Sequence, residues 1–345
     1  MEKLFAVKIK KNLAVLVFVL ALVLSVNALD RLFCIKSSNG IIQARAMYYQ
    51  PRNTIDVVML GSSHIHCDIN TAMLWRDYGI AAYDYSAAEQ PLWETYYYLK
   101  EICKYQDPKV VVLDLYSPAR FKDDYQYYWL NDNLSGMKFS MNKLEMLSAS
   151  SEPGLYERYF PSFVTYHSRY SDLSIEDVDA LFHMERLANF KGYTPYMGVD
   201  VQEEPDLEEE NSGGITLKSE IYLSKIIDYT KEKNINLFLI VTPYITNDDD
   251  ELVYNRIREI AEEKEIDFNS TNYDYDMMGI DFEKDFCDDS HLNYEGSCKF
   301  TEYLADELLS LYDIPDRRGS AGYESWDVSA QIIDDYVSGK SDKLY

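Results

Sequence analysis

The chain is poor in basic residues: 33 lysines and arginines stand against 59 acids, for a formal net charge of −26. A surface of that sign repels phosphate backbones, so nucleic acid is excluded as a partner. A solvated acidic face fixes nothing further. Cysteine is scarce as well. Cys34, Cys67, Cys103, Cys287 and Cys298 form no Cys-x-x-Cys pair, which argues against a zinc knuckle or a disulfide-built scaffold and leaves room for one bridge. No internal repeat is present. Tyrosine is what the chain has in plenty, with 31 copies, many of them between Tyr96 and Tyr196. Each offers amphipathic area suited to half-buried packing or to a carbohydrate.

Lys3, Lys8, Lys10 and Lys11 precede an apolar run from Leu13 to Leu24 that continues, interrupted by Ser25 and Asn27, to Leu29. Read to Phe33, the run is long enough for a bilayer core of ~30 Å at ~1.5 Å per residue. Positive charge ahead of it places residues 1–35 as a cytoplasmic stub and transmembrane anchor, with the main domain extracytoplasmic. A cleaved signal peptide fits the same residues when Val26-Asn27-Ala28 is taken as the cleavage site, and gives the body the same address. A buried core helix fits less well, because the run has no polar face.

The rest alternates strand and helix. Ile55–Leu60, Ala81–Tyr85, Lys109–Leu115, Ile235–Val241 and Ile266–Asn269 read as strands. Pro91 opens a helix with Leu92, Tyr96, Leu99 and Cys103 expected on one face. Further helices are expected over Leu217–Lys233, Asp250–Lys264 and Tyr294–Tyr312, the last with Phe300, Leu304, Leu308 and Leu311 on one side. The alternation predicts an α/β fold, a doubly wound parallel five-stranded sheet. Residues 116–216 break it and are expected to form an inserted cap that includes the acidic run Glu203–Glu210. Residues 50–312 then make one domain, and 313–345 a polar C-terminal tail, partly disordered.

Two patterns carry chemistry. Gly61-Ser62-Ser63-His64 directly follows the first strand, and ligands gather beyond the carboxyl ends of parallel strands. A serine there needs a base to become a nucleophile; by itself the pattern equally fits a helix cap. Asp288-Asp-Ser-His291-Leu-Asn293 stands just before the last helix. A carboxylate three residues ahead of an imidazole can hold its N–H and leave the other nitrogen as base.

Together these blocks make the sequence resemble the SGNH/GDSL hydrolase family over residues 50–115 and 217–312, with the cap unmatched. The resemblance implies a flavodoxin-like sheet and no cofactor or metal. It maps the nucleophile onto Ser63, the base onto His291 and the orienting carboxylate onto Asp288, with Ser62 and Asp289 as fallbacks. The oxyanion donors it implies are the Ser63 N–H and a backbone N–H at Ser86, where the family has glycine, or at Ala87. No asparagine follows Leu115, and Gln90 is the substitute for that third donor. His64 is expected to line the pocket and His66 to face the following helix; a metal site formed by these two with Asp68 is the weaker reading. Cys67 lies too far past the strand to act. Thr242 and Tyr244 are expected to border the cleft. His167 and His183 receive no role. With an anchor added, the chain looks like surface acyl-transfer proteins of the alginate O-acetylation and teichoic-acid D-alanylation type. That likeness implies an acylated carbohydrate or cell-wall polymer as substrate and a multi-pass membrane acyltransferase as partner. A carbohydrate esterase using water, and a degenerate scaffold, are the alternatives.

Overall fold

The computed structural model describes residues 2–121, 128–152, 154–159, 165–207 and 211–345. They fall into two compact units, Met1–Ile35 with Gly154–Met184, and Lys36–Pro153 with Glu185–Tyr345.

The first unit is led by α1 (Glu2–Phe33). Its stretch Lys8–Phe33, 26 residues that include an 18-residue segment of mean hydropathy 2.5 with none of that segment buried, is long and apolar enough to cross a membrane. The polar group most at odds with that environment is satisfied within the helix: Asn27 donates from Nδ2 to the Val23 carbonyl at 2.8 Å. Two short helical pieces, His167–Ser171 and Ile175–Phe182, belong to the same unit.

The second unit is built on five parallel strands: β1 (Val57–Leu60), β2 (Ala82–Asp84), β3 (Val110–Asp114), β4 (Asn236–Val241) and β5 (Asp267–Ser270), in the order β2-β1-β3-β4-β5. In β1 and β3 every residue is buried, as expected of strands covered on both faces. The helices that serve the argument are α2 (Ser63–Asp68), α3 (Thr71–Tyr78), α4 (Leu92–Ile102), α5 (Leu217–Lys233), α6 (Asp248–Lys264), α7 (Tyr294–Leu311) and α8 (Glu324–Val337). Val57, Met59, Val110, Val112, Phe238 and Ile240 turn one face of the sheet toward Ile65, Leu74, Phe300, Leu304 and Leu308 of α2, α3 and α7. Helices α4 and α5 cover the other face. Local chemistry sets the helix ends: Thr216 caps α5 by accepting from Ser219 N–H at 3.2 Å, and Asn234 closes it in the left-handed conformation. The winding direction reverses between β1 and β3, so the crevice of the fold opens beyond the carboxyl ends of those two strands.

Several expectations are corrected. Helix α4 is buried on almost every side, with Trp93, Thr95, Tyr98 and Ile102 inside and Tyr96 and Cys103 only partly covered; it is wedged between sheet and neighbouring helices, so no single apolar stripe describes it. Leu311 is exposed because α7 ends there. Cys67, Cys103, Cys287 and Cys298 form no disulfide. Residues 116–216 do not cluster as one body: Gly154–Met184 groups with α1 and the flanks with the sheet. In the acidic run, Glu208, Glu209 and Glu210 lie outside the described residues.

The polar tail is folded. Arg317 makes a two-pronged bond to Asp56 at the entrance to β1, at 2.7 and 2.8 Å. Helix α8 packs on α3 through Trp326, which is wholly buried against Trp75 and Tyr323. A single buried indole in a polar segment escapes a compositional reading. Trp326→Ala should cost about 3–5 kcal/mol and lower the thermal midpoint, whereas Val328→Ala, at a site 43% exposed on the same helix, should leave it nearly unchanged.

Candidate active site

The chain leaves β1 through Gly61 at φ +150°, a conformation side chains rarely adopt. A Cβ at Gly61 would stand 2.7 Å from the Cβ of Asp114, so β1 and β3 approach this closely only with glycine in place. Ser62 follows in extended backbone and Ser63 opens α2. Gly61→Ala should therefore destabilise the fold by more than 1 kcal/mol, an order of magnitude typical of close-packed backbone contacts, as read by denaturant unfolding.

The two serines go to different partners. Ser62 is fully buried and donates to Asp114 Oδ2 at 3.0 Å. Ser63 is half-buried, and its Oγ lies 2.8 Å from His291 Nε2. His291 Nδ1 in turn lies 3.0 and 3.1 Å from the two oxygens of Asp288. The carboxylate also accepts the backbone N–H groups of Ser290 and His291, each at 2.8 Å. Burial alone would raise the Asp288 carboxyl. The hydrogen bond and charge of His291 and the two backbone donors outweigh it and hold Asp288 below its ordinary value. An ionised Asp288 fixes the proton on Nδ1 and leaves the Nε2 lone pair facing the Ser63 hydroxyl. Asp289 is exposed and its side chain accepts from Ser290 Oγ instead.

The loop carrying His291 is held at each successive amide. After Ser290 and His291, the Leu292 N–H donates to Asp68 Oδ1 at 2.9 Å and the Asn293 N–H to the Asp285 carbonyl at 2.8 Å. Asn293 then caps α7 by accepting from Gly296 N–H at 3.1 Å. Asp68, at the end of α2, thus ties the helix that opens with Ser63 to the loop that carries His291.

Beneath the serine runs a second chain of buried polar groups. His64 Nδ1 meets Thr242 Oγ1 at 2.9 Å, and Thr242 donates to Asp114 Oδ1 at 3.3 Å. Since Thr242 spends its proton on Asp114, the proton of that first contact comes from His64. Asp68 Oδ2 lies 3.5 Å from the same nitrogen, and burial raises its carboxyl well above the ordinary value. His64 stacks on Tyr116 with centroids 3.8 Å apart, and its centroid is 5.1 Å from that of His291. Burial first, then the charge of His291 and of Arg120, push His64 down and keep it neutral.

The other expected site residues are placed as follows. Thr242 and Tyr244 are wholly buried and back His64 rather than border open space; the Tyr244 hydroxyl bonds to Tyr254 at 2.8 Å. His66 meets Ser86 Oγ at 2.9 Å, so it turns to the β2 side and not to the following helix, and burial lowers it to about 3. His64 and His66 therefore serve different partners. Among the described residues, no group of three or more His, Cys, Asp or Glu is arranged to hold a metal ion. Ala87 already donates its N–H to the Gly61 carbonyl at 3.4 Å. Gln90 is fully buried with both amide atoms unpartnered. The Cys67 thiol is raised by burial and by Asp68, which disfavours the thiolate.

Sequence reasoning missed Tyr116, Tyr196 and Asp114, and gave Asp68 a metal-binding part alone. Tyr116 is half-buried, and its hydroxyl is 3.4 Å from Ser290 Oγ. The edge of Tyr196 meets His291 at 5.6 Å between centroids. Tyr116 and Asp114 stand at the carboxyl end of β3, where the strand-end rule that located Ser63 applies equally. Tyr196 arrives from residues 190–196, laid along β2 and α2 by Asp84 N–H to Lys191 O at 2.9 Å and Thr194 N–H to His66 O at 2.6 Å; no local pattern announces it.

Asp114 titrates in a useful range. Burial lifts its carboxyl to about 6 against the donors from Ser62, Tyr116 and Thr242. Between the ordinary value of 3.8 and about 6, the folded chain keeps a proton that the unfolded chain releases, so stability falls as pH rises through that window. The stability difference between wild type and Asp114→Asn should shift against the wild type from pH 4 to pH 7, by on the order of 3 kcal/mol. Chemical unfolding at a series of pH values reads it, and a pH-independent difference would contradict the assignment.

Comparison with family models gives no match, and comparison with curated proteins gives none either.

Proposed function

We propose that the chain is a membrane-anchored SGNH-type serine esterase or O-acyltransferase that acts, outside the cytoplasm, on acyl groups of a cell-surface polysaccharide. The observation that carries the reading is the hydrogen-bonded line from Ser63 Oγ through His291 to Asp288, with the first two half-buried and within reach of solvent. It stands at the carboxyl edge of the sheet, where the winding reverses.

In this reading His291 Nε2 takes the Ser63 proton as Oγ attacks the acyl carbonyl. The tetrahedral oxyanion is met by the Ser63 N–H and by a donor from the loop after β2, Ser86 or Gln90. His291 hands its proton to the departing alcohol, and the acyl group remains on Ser63 as an ester. A second hydroxyl then gives its proton to His291 as its oxygen attacks the ester, and His291 returns that proton to Ser63 Oγ as the acyl–serine bond breaks. A sugar hydroxyl makes the cycle a transfer, and water makes it hydrolysis. Tyr196, half-buried beside His291, and Tyr116, half-buried with its hydroxyl near Ser290, are aromatic side chains of the kind that sugars stack on. The lysines in the first third of α1, ahead of its apolar run, favour the sheet unit on the outer side, where a multi-pass acyltransferase would supply the acyl group. A degenerate scaffold is the second reading, favoured by the occupied Ala87 amide and the missing asparagine.

A fluorophosphonate probe decides between them. Wild type should label, Ser63→Ala should not, Ser62→Ala should still label, and His291→Ala should label about 10²–10⁴ times more slowly. Labelling that survives in Ser63→Ala refutes the assigned nucleophile, and a folded wild type that takes no label favours the scaffold.

A further inference from the structure

The first unit holds an apolar face that its own packing leaves uncovered. The helix Ile175–Phe182 is opened by Ser174, which accepts the Asp177 N–H at 3.4 Å while the Asp177 carboxylate returns to Ser174 N–H at 3.1 Å. At ~100° per residue, Ile175, Val178 and Phe182 share a sector of about 60°. They are 80%, 39% and 74% exposed, and Tyr170 just upstream is 75% exposed. Asp177, on the opposite side, is buried and paired with Arg169 at 3.3 Å.

The position of this helix argues for what covers it. It packs on α1, and Arg169 donates from Nη1 to the Phe33 carbonyl at 2.7 Å. Side chains of α1 are exposed from Leu13 to Ser25, while Val26, Asp30, Leu32 and Phe33 are partly covered and Cys34 is buried. If Leu13–Leu29 lies in the hydrocarbon, the charges of Asp30 and Arg31 mark the exit, and Arg169 fastens the short helix at that level. An apolar sector flanked by an exposed tyrosine at the boundary of a bilayer suits the headgroup–acyl layer.

We infer that Ile175–Phe182 is an interfacial helix whose Ile175, Val178 and Phe182 enter the lipid surface beside α1, giving the anchor a second, in-plane contact. The inference rests on α1 crossing the membrane. The covering surface is lipid, and not a second copy of the chain, because the helix packs on α1, whose own exposed side chains from Leu13 to Leu24 are apolar. The acidic balance of the segment, with Glu157, Asp172, Glu176, Asp177 and Asp179 against Arg158 and Arg169, points to apolar insertion and not to attraction by anionic headgroups.

Full-length chain carrying p-benzoylphenylalanine in place of Val15, Phe182, Ile175 or Glu176, reconstituted in phosphatidylcholine vesicles and irradiated, tests this by mass spectrometry of lipid adducts. Val15 reports the anchor. Phe182 and Ile175 should give lipid adducts several-fold above Glu176, which lies off the apolar sector. Adducts at Val15 with Phe182 and Ile175 no higher than Glu176 would overturn the inference and leave the anchor standing. A protein–protein adduct at Phe182 would replace lipid by a second copy. No lipid adduct at Val15 would remove the anchor and the inference with it.

Discussion

The buried carboxylate of Asp114 joins three strand ends. It stands last in β3, accepts from Ser62 after β1 and from Thr242 after β4, and presses against a Gly61 that has no side chain to lose. The central strands thus end at matched heights, and the serine that follows is delivered at a fixed place above them. Thr242 passes the organisation on to His64, and His64 to the ring of Tyr116. A buried carboxylate with three donors is stable only while all three remain. The crevice edge is therefore specified by a polar network more than by apolar packing.

That network explains how far the sequence could be read. Ser63 and the Asp288–His291 pair were legible because each depends on local chemistry: a strand end followed by glycine, and a carboxylate placed three residues before its imidazole. The five strands and their parallel order were legible because β-branched runs alternate with helix-period segments, and parallel neighbours require crossovers. Thr242 and Tyr244 were located at the correct strand end but turned inward, since their orientation depends on Asp114, His64 and Tyr254, far away in sequence. Asp68 was read only as a metal ligand, because its bond to Leu292 spans most of the chain. The tail was misread on composition, because the few residues that hold it, Arg317, Tyr323, Trp326, Ala330 and Ile333, are scattered among polar ones.

The two histidines near Ser63 show how neighbours in sequence separate in role. His64 and His66 are both buried and both kept neutral, yet one turns to the β4 end and the other to Ser86. A neutral ring close to His291 places no fixed positive charge beside a base that must itself become charged when it takes a proton. In the proposed chemistry, that restraint favours the imidazolium formed during acyl transfer.

The loop from Ser290 to Asn293 has a further consequence. Its four consecutive amide protons are all engaged, two by Asp288, one by Asp68 and one by the Asp285 carbonyl, before Asn293 starts α7. His291 therefore rides on backbone with almost no conformational freedom of its own. Its disorder was removed when the chain folded, so in the proposed chemistry little reorganisation would be left for the moment a substrate arrives. The same bonds make those amides slow to exchange with solvent, and their opening a measure of how often the serine loses its partner.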